Sequence, residues 1–186
     1  VRDNLEVDEG DPFNELLLSK SINNLKSLNI FGSVDYELVT EDDDKKVLNI
    51  TVSEKPTGEI FASAGAGTQG STVGFGVVEN NFLGKNISLD TNLRISDETI
   101  KGAFSIVNPN WNYSDKALIA SIESSVTDRL DDYGYETNKT GFSFGSAWEQ
   151  YDDVRFSPKL STYYEKLDTN QSATANLKKQ EGEYFD

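Results

Sequence analysis

The chain has 186 residues, a formal net charge of −15, and neither Cys nor His. That composition excludes a disulfide framework, a thiolate zinc site and any Ser-His-Asp or Cys-His machinery. The acidic balance argues against nucleic acid or an anionic membrane surface as partner. Residues 1–9 read as the tail of a helix. Asp11 and Pro12 then restart one, with Asp11 as N-cap and Pro12 at the first helical position, where its missing N–H costs nothing. Leu18, Ile22, Leu25 and Leu28 recur at three or four residues and make one apolar stripe. Asn29 follows as a left-handed C-cap. Two strands come next, near 33–39 and 46–53. In the second, Leu48, Ile50 and Val52 alternate with Asn49, Thr51 and Ser53. The turn Thr40–Lys45 is acidic, and it lacks the ligand spacing and Gly of an EF-hand loop.

After Pro56 the character changes: apolar residues fall on every second position to the end of the chain. Strands are predicted near 58–67, 71–79, 85–95, 99–107, 117–127, 140–150 and 154–166, joined as sequential hairpins. In the third, Ile87, Leu89, Thr91, Leu93 and Ile95 oppose Ser88, Asp90, Asn92 and Arg94. In the sixth, Phe142, Phe144 and Trp148 oppose Gly141, Ser143, Gly145 and Glu149. In the seventh, Val154, Phe156, Leu160 and Thr162 oppose Arg155, Ser157, Lys159 and Ser161. These lengths match the roughly 9–11 residues that cross a bilayer at a tilt. No stretch reaches the roughly 18 apolar residues of a membrane helix. A mean hydropathy of −0.53 is a poor test for a barrel, in which only alternate residues meet lipid. The connections alternate too. Asn80–Lys85, Asn108–Lys116 and Gln150–Asp153 carry Phe82, Trp111, Tyr113 and Tyr151, whereas Arg94–Thr99, Asp128–Lys139 and Asp168–Glu183 are polar. That is the pattern of an aromatic girdle on one side and solvated loops on the other; a soluble β-protein with aromatics at its strand ends reads equally well. The fold class is thus mainly β with a small α+β module, divided at residues 1–55 and 56–186.

Little else suggests chemistry. The pairs Asp131-Asp132 and Asp152-Asp153 read as solvated loop charge rather than cation ligands, and the five Asn-x-Ser/Thr triplets read as chance. Tyr163-Tyr164-Glu165 reads as a strand end at the girdle. Lys45-Lys46 and Lys178-Lys179 are too small to be basic patches. No catalytic residue, metal ligand or cofactor site is assigned.

Four segments resemble one family. Ser21–Phe31 (SINNLKSLNIF), with Val34, Val52 and Glu54 after it, is similar to a POTRA domain, the last before the barrel in BamA-type outer-membrane barrel-assembly factors of Gram-negative bacteria. Glu54–Gly58 (EKPTG), Glu79–Gly84 (ENNFLG) and Asn108–Ser114 (NPNWNYS) resemble that family's start-of-barrel segments. The resemblance covers essentially the whole chain. It implies a truncated periplasmic POTRA domain over 1–55 and about seven antiparallel up-and-down strands of a transmembrane β-barrel over 56–186, out of about sixteen in a family barrel. The chain departs from the family in lacking the first POTRA strand, in carrying Asn29 where Gly is usual, and in lacking the late Val-Arg-Gly-Phe motif. With Val at position 1 and no signal peptide, it reads as an internal piece of a longer protein.

The resemblance also implies a function. Such a protein folds and inserts β-barrel proteins into the outer membrane without covalent chemistry. Its first barrel strand offers an edge on which client strands pair at a lateral gate. That strand here is Glu59, Ile60, Phe61, Ala62, Ser63, Ala64, Gly65, Ala66 and Gly67. Its small residues weaken the strand's own cohesion and admit another backbone; a crowded seam or a tight bend is the structural alternative. Glu54, Lys55, Pro56, Thr57 and Gly58 would be the hinge between module and barrel. The implied partners are unfolded outer-membrane protein clients, accessory lipoproteins (BamD-like, through the POTRA module) and outer-membrane lipid. A TamA-like or two-partner secretion pore of the same superfamily is the alternative, and an outer-membrane phospholipase or protease a more distant one.

Overall fold

The computed structural model describes residues 1–42, 45–67, 70–114, 116–151 and 154–186. The tip of the acidic turn (Asp43, Asp44) and the Asp152-Asp153 pair lie outside the described residues. The chain divides into two compact units, Val1–Thr57 and Gly58–Asp186.

The first unit is a helix on a hairpin. Helix α1 (Glu15–Ser27) is followed by β1 (Phe31–Asp42) and β2 (Lys45–Glu54), which pair antiparallel. The N-cap is Asn14, not Asp11. Its side chain accepts from the N–H groups of both Leu16 and Leu17, satisfying two of the donors a helix start leaves open. Asp11 and Pro12 lie outside the helix. Residues 1–9 hold one 3-10 turn, Arg2–Asn4, rather than a helix tail. At the other end Asn29 has φ 57°, the left-handed conformation expected of it. The core is Leu18, Ile22, Leu25 and Val34, packed with Leu5, Val7, Phe31, Leu48, Ile50 and Val52 among others. The alternation in β2 thus brings Leu48, Ile50 and Val52 to the helix. Ser21, fully buried, donates to the Leu17 carbonyl and accepts from the Glu6 N–H, each at 2.8 Å. That bridge ties the N-terminal segment to α1.

The second unit is one antiparallel meander. Its strands are β3 (Gly58–Gly67), β4 (Gly70–Phe82), β5 (Ile87–Ser96), β6 (Thr99–Asn108), β7 (Ala117–Arg129), β8 (Tyr135–Tyr151), β9 (Val154–Phe156), β10 (Lys159–Thr169) and β11 (Gly182–Phe185), with a short helix α2 (Ala175–Lys179) before the last. Each long strand pairs with the next, so among the described residues the order runs from β3 at one edge to β11 at the other, with β9 pairing only β8. Seven of these strands have ten or more residues.

Three sequence expectations are corrected here. The strand predicted over 154–166 is broken at Ser157-Pro158, because Pro has no N–H for the ladder; the Pro158 carbonyl instead accepts from Ser146 N at 3.1 Å. The loop predicted over 128–139 shrinks to Leu130–Gly134, since β8 starts at Tyr135. The loop predicted over 168–183 contains α2 and the start of β11.

Candidate functional site: an exposed edge strand on a two-faced sheet

Residues directly opposite in an antiparallel ladder share a face, so the register assigns every side chain to one of two surfaces. One surface is apolar. Across it run Ile60, Ala62 and Ala64; Val77, Phe75 and Val73; Leu89, Leu93 and Ile95; Ile106, Phe104 and Ile100; Leu118, Ala120 and Ile122; Phe144 and Phe142; and Leu160. The charge nearest to it on this face is Glu79, at the end of the row opposite Leu89. Many of the band's large side chains are exposed, Leu160 at 77% and Ile60 at 86%. Burial of apolar area is the main drive for folding in water, so a contiguous exposed band of this size marks a surface that meets something apolar.

The other surface is polar and rich in small residues. It carries Ser63, Gly74, Gly76, Asn92, Ala103, Ser105, Ser121, Gly141, Ser143, Gly145 and Ser161, with the charges Asp90, Arg94, Lys101, Glu123, Lys139 and Glu165 among them. Two cross-strand ion pairs lie here, Lys101–Glu123 at 3.5 Å and Lys139–Glu165 at 3.7 Å. All four groups are about half exposed, so each pair contributes about 0–1 kcal/mol. Two glycines are roofed by rings. A methyl group at Gly76 would overlap the Phe61 ring, and one at Gly141 would overlap Tyr163. These are aromatic residues covering the surface a glycine leaves bare.

The two rims differ. The β4–β5, β6–β7 and β8–β9 connections lie on one rim and bring Phe82, Trp111 and Tyr151 there, all exposed. Tyr113 lies in the same turn as Trp111. The opposite rim is hydrogen-bonded. Arg129 Nε meets Glu98 Oε2 at 2.6 Å. Asn170 Nδ2 donates to the Leu130 carbonyl, and Asn170 N to that of Gly134. Gly134 has φ +77°, and a side chain there would meet Ala173 N, Asn170 and Ser172. Only glycine combines that backbone with that closeness. Asp131 and Asp132 are exposed on this rim. Among the described residues no group of three or more acidic side chains is placed to hold a metal ion, and no helix is long and apolar enough to cross a membrane, which says nothing of strands.

The predicted edge residues form β3. All ten of its residues are exposed. It pairs with β4 in unbroken register from Gly58↔Glu79 to Gly67↔Gly70 and has no neighbour on its other side among the described residues. Side chains built at Gly65 and Gly67 would meet no described atom within 4 Å. Of the predicted hinge residues, Glu54 closes β2 opposite Phe31. Lys55 is tied to the first unit through Nζ to Asn29 Oδ1 at 2.7 Å and its N–H to the Ile30 carbonyl. Pro56 and Thr57 lie between strands, and Gly58 opens β3. The unit boundary falls between Thr57 and Gly58.

Two arrangements escaped the sequence reading. A groove on the apolar face opens over Ala120, and a cluster of Lys116, Trp148 and Phe156 lies at the aromatic rim. The signal for the first was a lone small residue among Leu118, Ala120 and Ile122. The second joins residues distant in sequence, and only the register brings them together.

No family model matches the chain. Over 184 residues, 96% of its length, it is 27% identical to the curated outer membrane protein assembly factor BamA of Nitratidesulfovibrio vulgaris. It superposes on the crystal structure of BamA from Haemophilus ducreyi lacking POTRA domains 1-3 with a TM-score of 0.76, over 90% of this chain at 20% identity. The chain is similar to BamA over nearly its whole length, and it shares the fold of the BamA barrel wall. CdiB from Acinetobacter baumannii superposes less closely, with a TM-score of 0.54 over 94% of the chain at 15% identity, which shows a shared fold. The chain spans 23% of the length of the curated relative, and 33% and 36% of the two solved chains.

Proposed function

We propose that this chain is the start of an outer-membrane barrel that folds and inserts other β-barrel proteins, with β3 as the strand on which client strands pair. The observation that carries the reading is β3 itself: the strand that follows the unit boundary and begins the sheet bearing the apolar band, with small side chains at Ala62, Ala64, Gly65, Ala66 and Gly67. An unpaired backbone group in hydrocarbon costs several kcal/mol. An edge held at membrane depth is therefore a strong template for an incoming strand. Small side chains at Ala62, Ala64, Gly65, Ala66 and Gly67 let a second backbone approach and keep the strand's hold on a closing partner weak.

In this reading the apolar face meets outer-membrane lipid, the aromatic rim lies at the periplasmic interface, and the polar face lines the lumen. Residues 1–57 are the remainder of a POTRA domain in the periplasm, joined to the barrel through Glu54–Gly58. Support comes from the coverage of the BamA superposition. The sheet unit is 129 of 186 residues, and a match over 90% of the chain extends beyond it. The partners are unfolded outer-membrane clients and, through the POTRA module, accessory lipoproteins of an assembly complex. The work is strand templating, with no covalent step and no catalytic residue.

The test is site-specific crosslinking in the full-length protein with an arrested client. Cysteines at Ile60, Ala62, Ala64 and Ala66 are expected to crosslink to the client in a register that shifts with the position probed. Crosslinks confined to strands interior to the sheet, with none from β3, would refute the edge assignment.

A further inference from the structure

We propose that the outer face of β7–β8 holds one bilayer phospholipid, with an acyl chain in the groove over Ala120 and the phosphate on Lys116. The proposal rests on the reading of the apolar face as membrane-facing, and adds a discrete site to it. The groove has a volume of about 450 Å³. Phe104, Ile106, Phe142, Phe144 and Leu160 wall it, and Ala120 forms its floor. It exists because β7 puts a methyl group where its neighbours on either side carry rings and branched chains. Bare sheet would expose the gap to water, and an aliphatic chain laid along it removes that apolar area from solvent.

Ile106, Ala120, Phe144 and Leu160 form the cross-strand row of the groove nearest the aromatic rim, and beyond Leu118 on the same face of β7 lies a cation. Lys116 immediately precedes β7 and lies four residues from Ala120, about 13 Å along a strand. That is the reach from a phosphate, past the glycerol, into the first part of an acyl chain. Lys116 Nζ lies 5.8 Å from the centre of the Trp148 ring, and Trp148 stacks on Phe156 with centroids 6.1 Å apart and planes 18° from parallel. Trp148 Nε1 donates to Gln150 Oε1 at 2.9 Å, which fixes the ring. The ammonium makes no ion pair among the described residues. In a chain of net charge −15, a cation beside an aromatic shelf and an apolar groove is complementary to one molecule with an anionic head and an aliphatic tail. Indole and ammonium groups of this kind favour the headgroup level of a bilayer.

The test uses the full-length protein in phosphatidylethanolamine vesicles doped with phosphatidylethanolamine carrying an acyl-chain diazirine. After irradiation, labelled residues are mapped by mass spectrometry. Label on Phe104, Ala120 and Phe144 is expected to exceed that on Val73, Val77 and Ile95 of the same face severalfold. Ala120→Phe, which fills the groove, should bring it down to the level of those controls, and Ala120→Leu part of the way. Lys116→Gln should reduce the excess and leave Val73 unchanged. Heat-modifiable gel migration establishes that each variant retains its barrel. Even labelling of the whole apolar face, unaltered by Ala120→Phe, would overturn the site and leave the membrane reading standing. Wild-type labelling in Lys116→Gln would overturn the headgroup contact. No label anywhere on the apolar face would overturn both readings.

Discussion

Phe61 and Gly76 set how firmly β3 holds to the rest of the sheet. The ring lies flat over the glycine directly opposite, so Gly76→Ala places a methyl group inside it. The ring must swing away. Phe61 is 45% exposed, so about half of its burial is realised, roughly 1–1.5 kcal/mol. Ordinarily Gly→Ala also gains stability by restricting the unfolded chain. That gain is absent here: when β3 alone peels off, Gly76 stays paired through β4 to β5 and its backbone is not released. The substitution should therefore speed amide exchange of β3, read by mass spectrometry on the full-length protein, about five- to tenfold. Phe61→Ala should do the same by itself. The double variant should exchange no faster than Phe61→Ala alone, because both substitutions remove one contact. Wild-type exchange in Gly76→Ala, or additive effects in the pair, would refute the account of the ring as the clasp of this edge.

Other outcomes follow from the same geometry. Gly65→Val meets open space in the structure, so it should leave barrel folding unchanged yet slow client insertion in reconstituted vesicles, as should Ala64→Pro; normal insertion by both variants would remove the edge from the mechanism. Ser21→Ala removes the bridge from the Glu6 N–H to the Leu17 carbonyl and should cost the first unit about 0.5–1.5 kcal/mol, seen as faster amide exchange throughout α1. Leu25→Ala, at a side chain with no exposure, should cost about 2–5 kcal/mol by the same measurement. Glu6 is held below the usual carboxylate range by its hydrogen bond and ion pair with Lys20, helped by Asn24. A lowered folded-state pKa stabilises fully above the unfolded value and is lost as pH falls through the folded one. Protection of residues 4–7 should therefore fall on acidification through the carboxylate range, and Glu6→Gln should abolish that dependence.

The sequence was most legible where apolar alternation was present. Leu89, Thr91, Leu93 and Ile95 announced β5, and the Leu18–Leu28 stripe announced α1. It failed where the strands outrun the apolar band. Tyr135–Lys139 is polar on both faces, yet it continues β8 because the ladder with β7 runs on through Arg129↔Tyr135. Gly182–Phe185 is too short to show a period, and it is held by pairing with Tyr164–Leu167 of β10. Backbone hydrogen bonds hold these segments, and they leave no hydropathic trace. The helix start was misplaced because Asp11 and Asn14 are both capping residues, and local sequence does not say which side chain reaches two N–H groups. Exposure of β3 was legible only as small residues; its position at the sheet edge is a property of the whole strand order.

The interlocked rim has a mechanical consequence. Loop 130–134 and the turn at 170–173 are stapled by Asn170 across the ends of three strands. At that rim β7, β8 and β10 cannot slide past one another without breaking these bonds, so a shear applied to any one of the three is passed to the other two.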